Sequence, residues 1–186
     1  MERYTLLIIN MLNDFVYGKS KYEYARGIIG PIGEISNFFR EHKFPIIYLC
    51  DAHLKNNDRE IKILGEHAID GTEGARIIDD IVPREGDYVI KKRKYSGFYG
   101  TELDELLREM EMKNLVFSGL LTSLSIRHTV ADAYYRNYNC IILTNACCDV
   151  KNDLHLKSVL YIRDYYGANA VSTMNFPRLY VDREGI

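Results

Sequence analysis

Three groups of residues combine a type and a spacing that can do chemistry. Asp51-Ala52-His53 leaves an apolar run, and His67 follows in the stretch from Gly65 to Ile77 (GEHAIDGTEGARI). A carboxylate and two imidazoles are ligands for zinc or a harder divalent cation. Residues two apart in an extended segment face the same side, so Asp51 and His53 can converge. The same residues can also serve structure alone, Asp51 as a cap or turn former and the histidines as local hydrogen-bond partners. A second group is the basic run Lys91, Lys92, Arg93 and Lys94, which in isolation reads as a solvated turn. The third is Ser125, close to the start of a helix-like stretch, with His128 one turn further on. A serine hydroxyl attacks a carbonyl only when a base removes its proton, and a lysine can be that base only when it is buried and neutral. His128 reads as structural or as part of a subunit contact. His42, His155 and the charge-rich stretch from Lys55 to Lys62 read as solvated helix faces.

The elements that must position these groups are legible as alternating strands and helices. Apolar runs at Tyr4 to Asn10, Pro45 to Cys50, Asp87 to Ile90, Asn114 to Gly119, Cys140 to Thr144 and Ala170 to Ser172 read as strands. Being almost continuously apolar, they resemble strands buried on both faces of a parallel sheet. Helical spacing occupies Ile28 to Glu41, Thr101 to Glu109, Ser123 to Arg136 and Asp153 to Tyr165. In the third of these Ile126, Val130, Ala133 and Tyr134 form one apolar stripe. The pattern predicts an α/β fold, a three-layer open parallel sheet of about six strands with helices on both faces. Such sheets bind ligands beyond the carboxyl ends of their strands, where Asn10, Asp51 and Gly119 would meet.

Composition narrows the functional classes. The 186 residues, 47% hydrophobic and 27% charged, suit one globular domain over 1–186 with a sizeable core. Twenty-four basic against 26 acidic residues give a net charge of −2. That balance lacks the positive excess that nucleic-acid phosphates or anionic membranes attract, so neither partner is expected and a small ligand is. Cys50, Cys140, Cys147 and Cys148 show neither paired zinc spacing nor a secreted disulfide framework. With no leader-like or membrane-spanning run, they predict reduced thiols in the cytoplasm. Fifteen tyrosines without a tryptophan are compatible with subunit contacts.

Three segments together resemble the isochorismatase-like cysteine hydrolases, the family of nicotinamidases, N-carbamoylsarcosine amidases and isochorismatases. Leu6 to Phe15 (LLIINMLNDF) is similar to the family's opening strand and turn, with Asn10 at the catalytic Asp, Leu12 at the usual Gln, and Asn13-Asp14-Phe15 kept. Tyr88 to Leu103 (YVIKKRKYSGFYGTEL) resembles the lysine segment, and counting back from Ser96 places that lysine at Lys92. Gly119 to Ser125 (GLLTSLS), followed by Thr129 and Ala131-Asp132-Ala133, resembles the nucleophile segment with Ser125 in the place of the cysteine.

The resemblance implies an amide or carbamoyl hydrolase with triad positions Asn10, Lys92 and Ser125, the first and last substituted. It implies a cis peptide between Leu120 and Leu121, near which backbone N–H groups would face a carbonyl oxygen. It also implies a divalent metal such as zinc on Asp51, His53 and His67, and a homodimer or homotetramer. Cys147 and Cys148 match a small-residue segment and read as buried structural thiols. The family thiolate depends on a lysine and a helix N-terminus, with a carboxylate to move the proton. An amide and an alcohol remove nucleophile and acceptor together, and general-base assistance alone is worth about 10²- to 10⁴-fold. Two readings follow: a hydrolase with impaired or altered catalysis, or a hydrolase-shaped binding or structural subunit, in effect a pseudoenzyme. Isochorismatases keep the acid, so Asn10 counts against that branch as well.

Overall fold

A computed structural model of the chain describes residues 2–18 and 20–181. Six strands, β1 (Tyr4–Ile9), β2 (Ile46–Asp51), β3 (Tyr88–Lys92), β4 (Asn114–Leu120), β5 (Asn139–Cys148) and β6 (Asn169–Val171), form one parallel sheet in the order β3-β2-β1-β4-β5-β6. The helices are α1 (Asn13–Val16), α2 (Ile29–Glu41), α3 (Arg59–Leu64), α4 (Leu103–Glu109), α5 (Arg127–Tyr135) and α6 (Asn152–Tyr166).

The unbroken apolar strands follow from burial on two sides. In β1, Leu6 and Ile8 join the core that takes Ile32, Ile35 and Phe39 of α2, and Phe176 seals its far end. Leu7 and Ile9 point the other way, into a core with Leu103 and Leu107 of α4, Val130 and Ala133 of α5, and Val159 and Ile162 of α6. Each such buried side chain contributes about 1.5–3 kcal/mol, and the period of two divides one strand between both cores.

Chain order fixes where a ligand can sit. β1, β2 and β3 lie successively outward, after which the chain returns to the other side of β1 to build β4, β5 and β6. The direction of winding reverses between β1 and β4, so a crevice opens beyond their carboxyl ends. Ile9 pairs there with Gly119. Gly119 has φ +104°, and a Cβ on it would be driven onto the Ile9 carbonyl oxygen. Only glycine lets the strands approach this closely where the pocket begins. Asn10, the next residue after β1, has φ +57°, a left-handed conformation that asparagine tolerates better than most side chains.

Some segments differ from their sequence pattern. The helix expected over Ser123 to Arg136 divides into a π-helical turn, Thr122–Ile126, and α5. Ile126, Val130 and Ala133 are buried, but Tyr134 is 47% exposed, because one residue on from Ala133 it is turned by about 100° to the edge of the stripe. β5 runs on past Thr144 to Cys148, since Gly119 and Leu120 continue to pair with Cys147 and Cys148. The stretch from Lys55 to Lys62 is not simply solvated: it includes most of α3, and Asp58 and Glu60 are buried beneath it. His155, expected on a solvated face, is also buried, while His42 is half-buried against Phe38.

Gly119→Ala is expected to prevent folding or to lower stability by more than about 3 kcal/mol, combining backbone strain with a main-chain clash. Urea unfolding followed by circular dichroism measures this, with Gly86→Ala, where nothing lies within 4 Å of the added carbon, as the control for positive φ alone.

Candidate active site

Strand alternation selects one lysine from the basic run. Lys92, the last residue of β3, is 1% exposed, whereas Lys91 and Arg93 on either side are exposed. Register brings Lys92 beside Asp51, the last residue of β2. The Lys92 ammonium donates to Asp51 Oδ1 and, at 3.1 Å, to the carbonyl of Lys94. Asp51 Oδ2 accepts from Asn10 Nδ2 at 2.7 Å, and the Asp51 backbone N–H donates to Asn10 Oδ1 at 3.0 Å. Asn10 Nδ2 also reaches Ser125 Oγ at 3.4 Å. Lys92, Asp51, Asn10 and Ser125 thus form one buried chain of polar contacts.

Ser125 is carried by the π-helical turn, which is tied down from below. The backbone N–H of Ser123 donates to Asp149 Oδ2 at 2.5 Å. The Thr122 hydroxyl lies 3.0 Å from the carbonyl of Cys148 and 2.8 Å from His155 Nδ1, so it is fixed between the two. Burial lowers the His155 pKa and keeps the ring neutral in this contact. Asp149 and His155 are functional supports that sequence reasoning missed. The peptide between Leu120 and Leu121 is cis, and both residues line the pocket together with Ser125. Phe15, Tyr22, Leu64, Tyr95 and Leu124 complete the walls around a free volume of about 20 Å³.

The proton economy of this arrangement is specific. An amide nitrogen has two protons and no lone pair to offer, and those of Asn10 face Asp51 and Ser125. Asn10 can therefore stabilise charge on Ser125 Oγ but cannot accept its proton. The carboxylate beside Lys92 is Asp51, one residue removed from the hydroxyl. None of the cysteines substitutes as nucleophile: all are free and buried, and burial pushes Cys50, Cys140 and Cys148 up to about 12 and Cys147 well above its ordinary value. His128 is exposed and its Nδ1 donates to the carbonyl of Leu124 at 2.7 Å, which makes it a helix-surface group.

Asp51, His53 and His67 do come together, with one candidate ligand atom from each lying within 4.8 Å of the others. His53 Nδ1 lies 3.1 Å from Asp58 Oδ2, and the Arg93 guanidinium holds Asp58 below the usual carboxylate range, so this oxygen accepts from the ring. The remaining nitrogen, His53 Nε2, is buried without a hydrogen-bond partner, 3.9 Å from Asp51 Oδ2 and 3.7 Å from Glu60 Oε2. His67 Nδ1 meets the carbonyl of Gly65 at 2.7 Å, which leaves its Nε2 lone pair available. Burial keeps His53 below its ordinary pKa, in the neutral form that binds metals. An orphaned imidazole nitrogen with oriented partners behind it fits a divalent cation. Glu60 is the acid that sequence reasoning left on a solvated face. Burial, helped by the charge of Asp51, pushes its carboxyl up to about 7.

A parallel α/β sheet whose winding reverses over a buried lysine, a carboxylate and a side chain at the start of a helix defines a ligand-binding scaffold of the hydrolase type. Residues 4–175 match the isochorismatase domain, and the chain belongs to the isochorismatase family. It is similar to the N-carbamoylsarcosine amidase of Thermoplasma acidophilum at 35% identity, over 92% of this chain and 96% of that one, with a TM-score of 0.86. An isochorismatase-like hydrolase from Alkaliphilus metalliredigens superposes with a TM-score of 0.90 at 26% identity, over 95% and 98% of the two chains. A nicotinamidase from Bacillus subtilis does so at 0.87 and 27%, over 91% and 99%.

Removing the ammonium from its buried pair is expected to cost about 3–5 kcal/mol in Lys92→Met, because Asp51 keeps its charge without a cation. Lys91→Met, whose nitrogen makes an exposed pair with Asp70, should change stability by less than about 1 kcal/mol. Paired urea melts of the two variants read the difference.

Proposed function

We propose that this chain binds a small molecule bearing an amide or carbamoyl group at the β1–β4 crevice, and that covalent turnover by the family route is suppressed. The observation that carries the reading is Asn10: its amide gives one proton to Asp51 and one to Ser125, and among the described residues no base contacts the hydroxyl. Similarity to an amidase and a nicotinamidase supports the ligand class. Lys92 as base for Ser125 is disfavoured, since its ammonium donates to Asp51 and to the carbonyl of Lys94.

Within this reading the residues bind and orient rather than transfer protons. The Ser125 hydroxyl, held by the Asn10 amide, offers its proton to a carbonyl oxygen, and the apolar walls exclude water from it. Asp51, His53 and His67 would hold a divalent cation such as zinc, which when bound polarises a carbonyl as a Lewis acid. We further propose a homodimer or homotetramer, supported by exposed tyrosines on α6, Tyr161 and Tyr165. A cytoplasmic setting is supported by the four free thiols. No helix among the described residues is long and apolar enough to cross a membrane.

Nicotinamide, N-carbamoyl amino acids and isochorismate, offered to the native chain and to Asn10→Asp with Ser125→Cys, test the reading. Turnover is expected from the double variant and, in the native chain, at least about 10²-fold less. Native turnover abolished by Ser125→Ala would instead establish a serine hydrolase and overturn it. For the cation, protein purified without chelator is expected to carry a divalent metal by elemental analysis, and His53→Ala to lose it. Protein that neither retains nor takes up zinc removes that part.

A further inference from the structure

The pocket at Ser125 shares two of its walls, Glu60 and Tyr95, with a much larger groove on the outside. The inner space, about 20 Å³, has room for about one water, whereas the groove has about 530 Å³, within the range of small-molecule sites. It runs between α3, the segment 94–99 and α5. Ile63, Tyr99 and Tyr135 give it apolar and aromatic flanks that are 64%, 66% and 72% exposed, and Ala131 leaves room on the α5 side.

The charges around this groove have one unbalanced sign. Asp132 is occupied by the Ser96 hydroxyl at 2.5 Å and by Arg136 at 3.3 Å, and the Glu60 carboxyl faces His53. Arg59 and Lys94 also line the groove; neither has a carboxylate within 4.0 Å among the described residues, although the charge of Lys94 is felt by the Glu60 carboxyl. His128, its Nδ1 spent on Leu124, packs its ring 5.4 Å from that of Tyr95, beside the shared wall.

We infer that this groove is an outer ligand site for a ring-bearing carboxylate, with the aromatic body against Tyr99 and Tyr135 and the anionic group met by Arg59 and Lys94. The inference deepens the amide-ligand reading by naming the rest of the molecule, but the groove stands on its own lining. Apolar walls supply the affinity for the ring, and two cations without a close ion pair supply the selection for a negative group. Tyr95 and Glu60 divide the two spaces, so a molecule seated in the groove reaches the inner pocket only past them.

Calorimetry on the full chain tests this with three probes: 3-phenylpropionate, N-carbamoylphenylalanine and N-carbamoylglycine. 3-Phenylpropionate is expected to bind, and N-carbamoylphenylalanine to bind at least tenfold tighter than N-carbamoylglycine. Ala131→Trp, which fills the groove, should remove both effects, as should Tyr135→Ala in larger part if the first variant fails to fold by circular dichroism. Arg59→Gln with Lys94→Gln should weaken 3-phenylpropionate at least fivefold and leave 3-phenylpropanamide unchanged. Binding of 3-phenylpropionate without any gain from the carbamoyl group keeps the groove and defeats the amide reading of the inner pocket. Failure of 3-phenylpropionate to bind, or indifference of its affinity to Ala131→Trp, overturns the groove. So does conversion of an oligomer to monomer by Ala131→Trp with ligand affinity unchanged, which would make the groove a contact between copies.

Discussion

The buried ammonium of Lys92 is the constraint around which the site is arranged. A cation with 1% exposure needs a fixed counter-charge and further acceptors, because the desolvation it suffers amounts to several kcal/mol. Asp51 supplies the charge from the neighbouring position in the sheet, and the carbonyl of Lys94 supplies the second acceptor. Once Asp51 is committed in this way, its other oxygen favours a donor. An amide at residue 10 provides one and also accepts from the Asp51 backbone, closing a ring of two hydrogen bonds. A carboxylate there would place a second negative charge against the first, with one lysine to serve both. The Asn10 substitution therefore balances the local charge at one lysine and one aspartate.

Ser125 fits the same logic. The second proton of the Asn10 amide points at its oxygen, and a hydroxyl accepts an N–H more strongly than a thiol of comparable position would. Residues 10 and 125 are thus mutually consistent: an amide that donates, and an oxygen that receives. What the pair lacks is a base in contact with the hydroxyl. The contacts that make this polar chain also fix both protons of the Asn10 amide, so the two residues form one network.

Much of this was legible in the sequence because it rests on period and end position. Continuous apolar strands gave the parallel sheet, and Asn10, Asp51 and Gly119 fell at strand ends. Lys92 was separable from Lys91 and Arg93 through the spacing to Ser96, and the structure gives the physical reason: strand alternation turns one side chain inward and its neighbours out. Glu60 was not legible. It lies in a run of charges with no alternation or long helical period, and its burial comes from how α3 folds over His53, a contact that local composition does not encode. His155 shares its buried face with Ser158, Val159 and Ile162 at helical spacing, and was missed because a histidine and a serine in that stripe read as solvated until Thr122 is placed against the ring. Asp51 was read as a metal ligand, and its pairing with Lys92 depends on the register between β2 and β3.

The supports of the site are distinct from the groups that would do its chemistry, and that separation explains how the scaffold survives a change in the latter. Gly119 lets β4 meet β1, while Asp149, Thr122 and His155 hold the turn that presents residue 125. None of these contacts involves the side chain of residue 10 or 125. Asp58, fixed by Arg93, orients His53 in the same indirect way, and the carbonyl of Gly65 orients His67. The crevice keeps its shape and its oriented imidazoles because the sheet, the turn and these outer partners impose them. The side chains at residues 10 and 125 therefore sit in a geometry that neither of them imposes, so a change at either position would alter the polar chain while leaving the surrounding crevice in place.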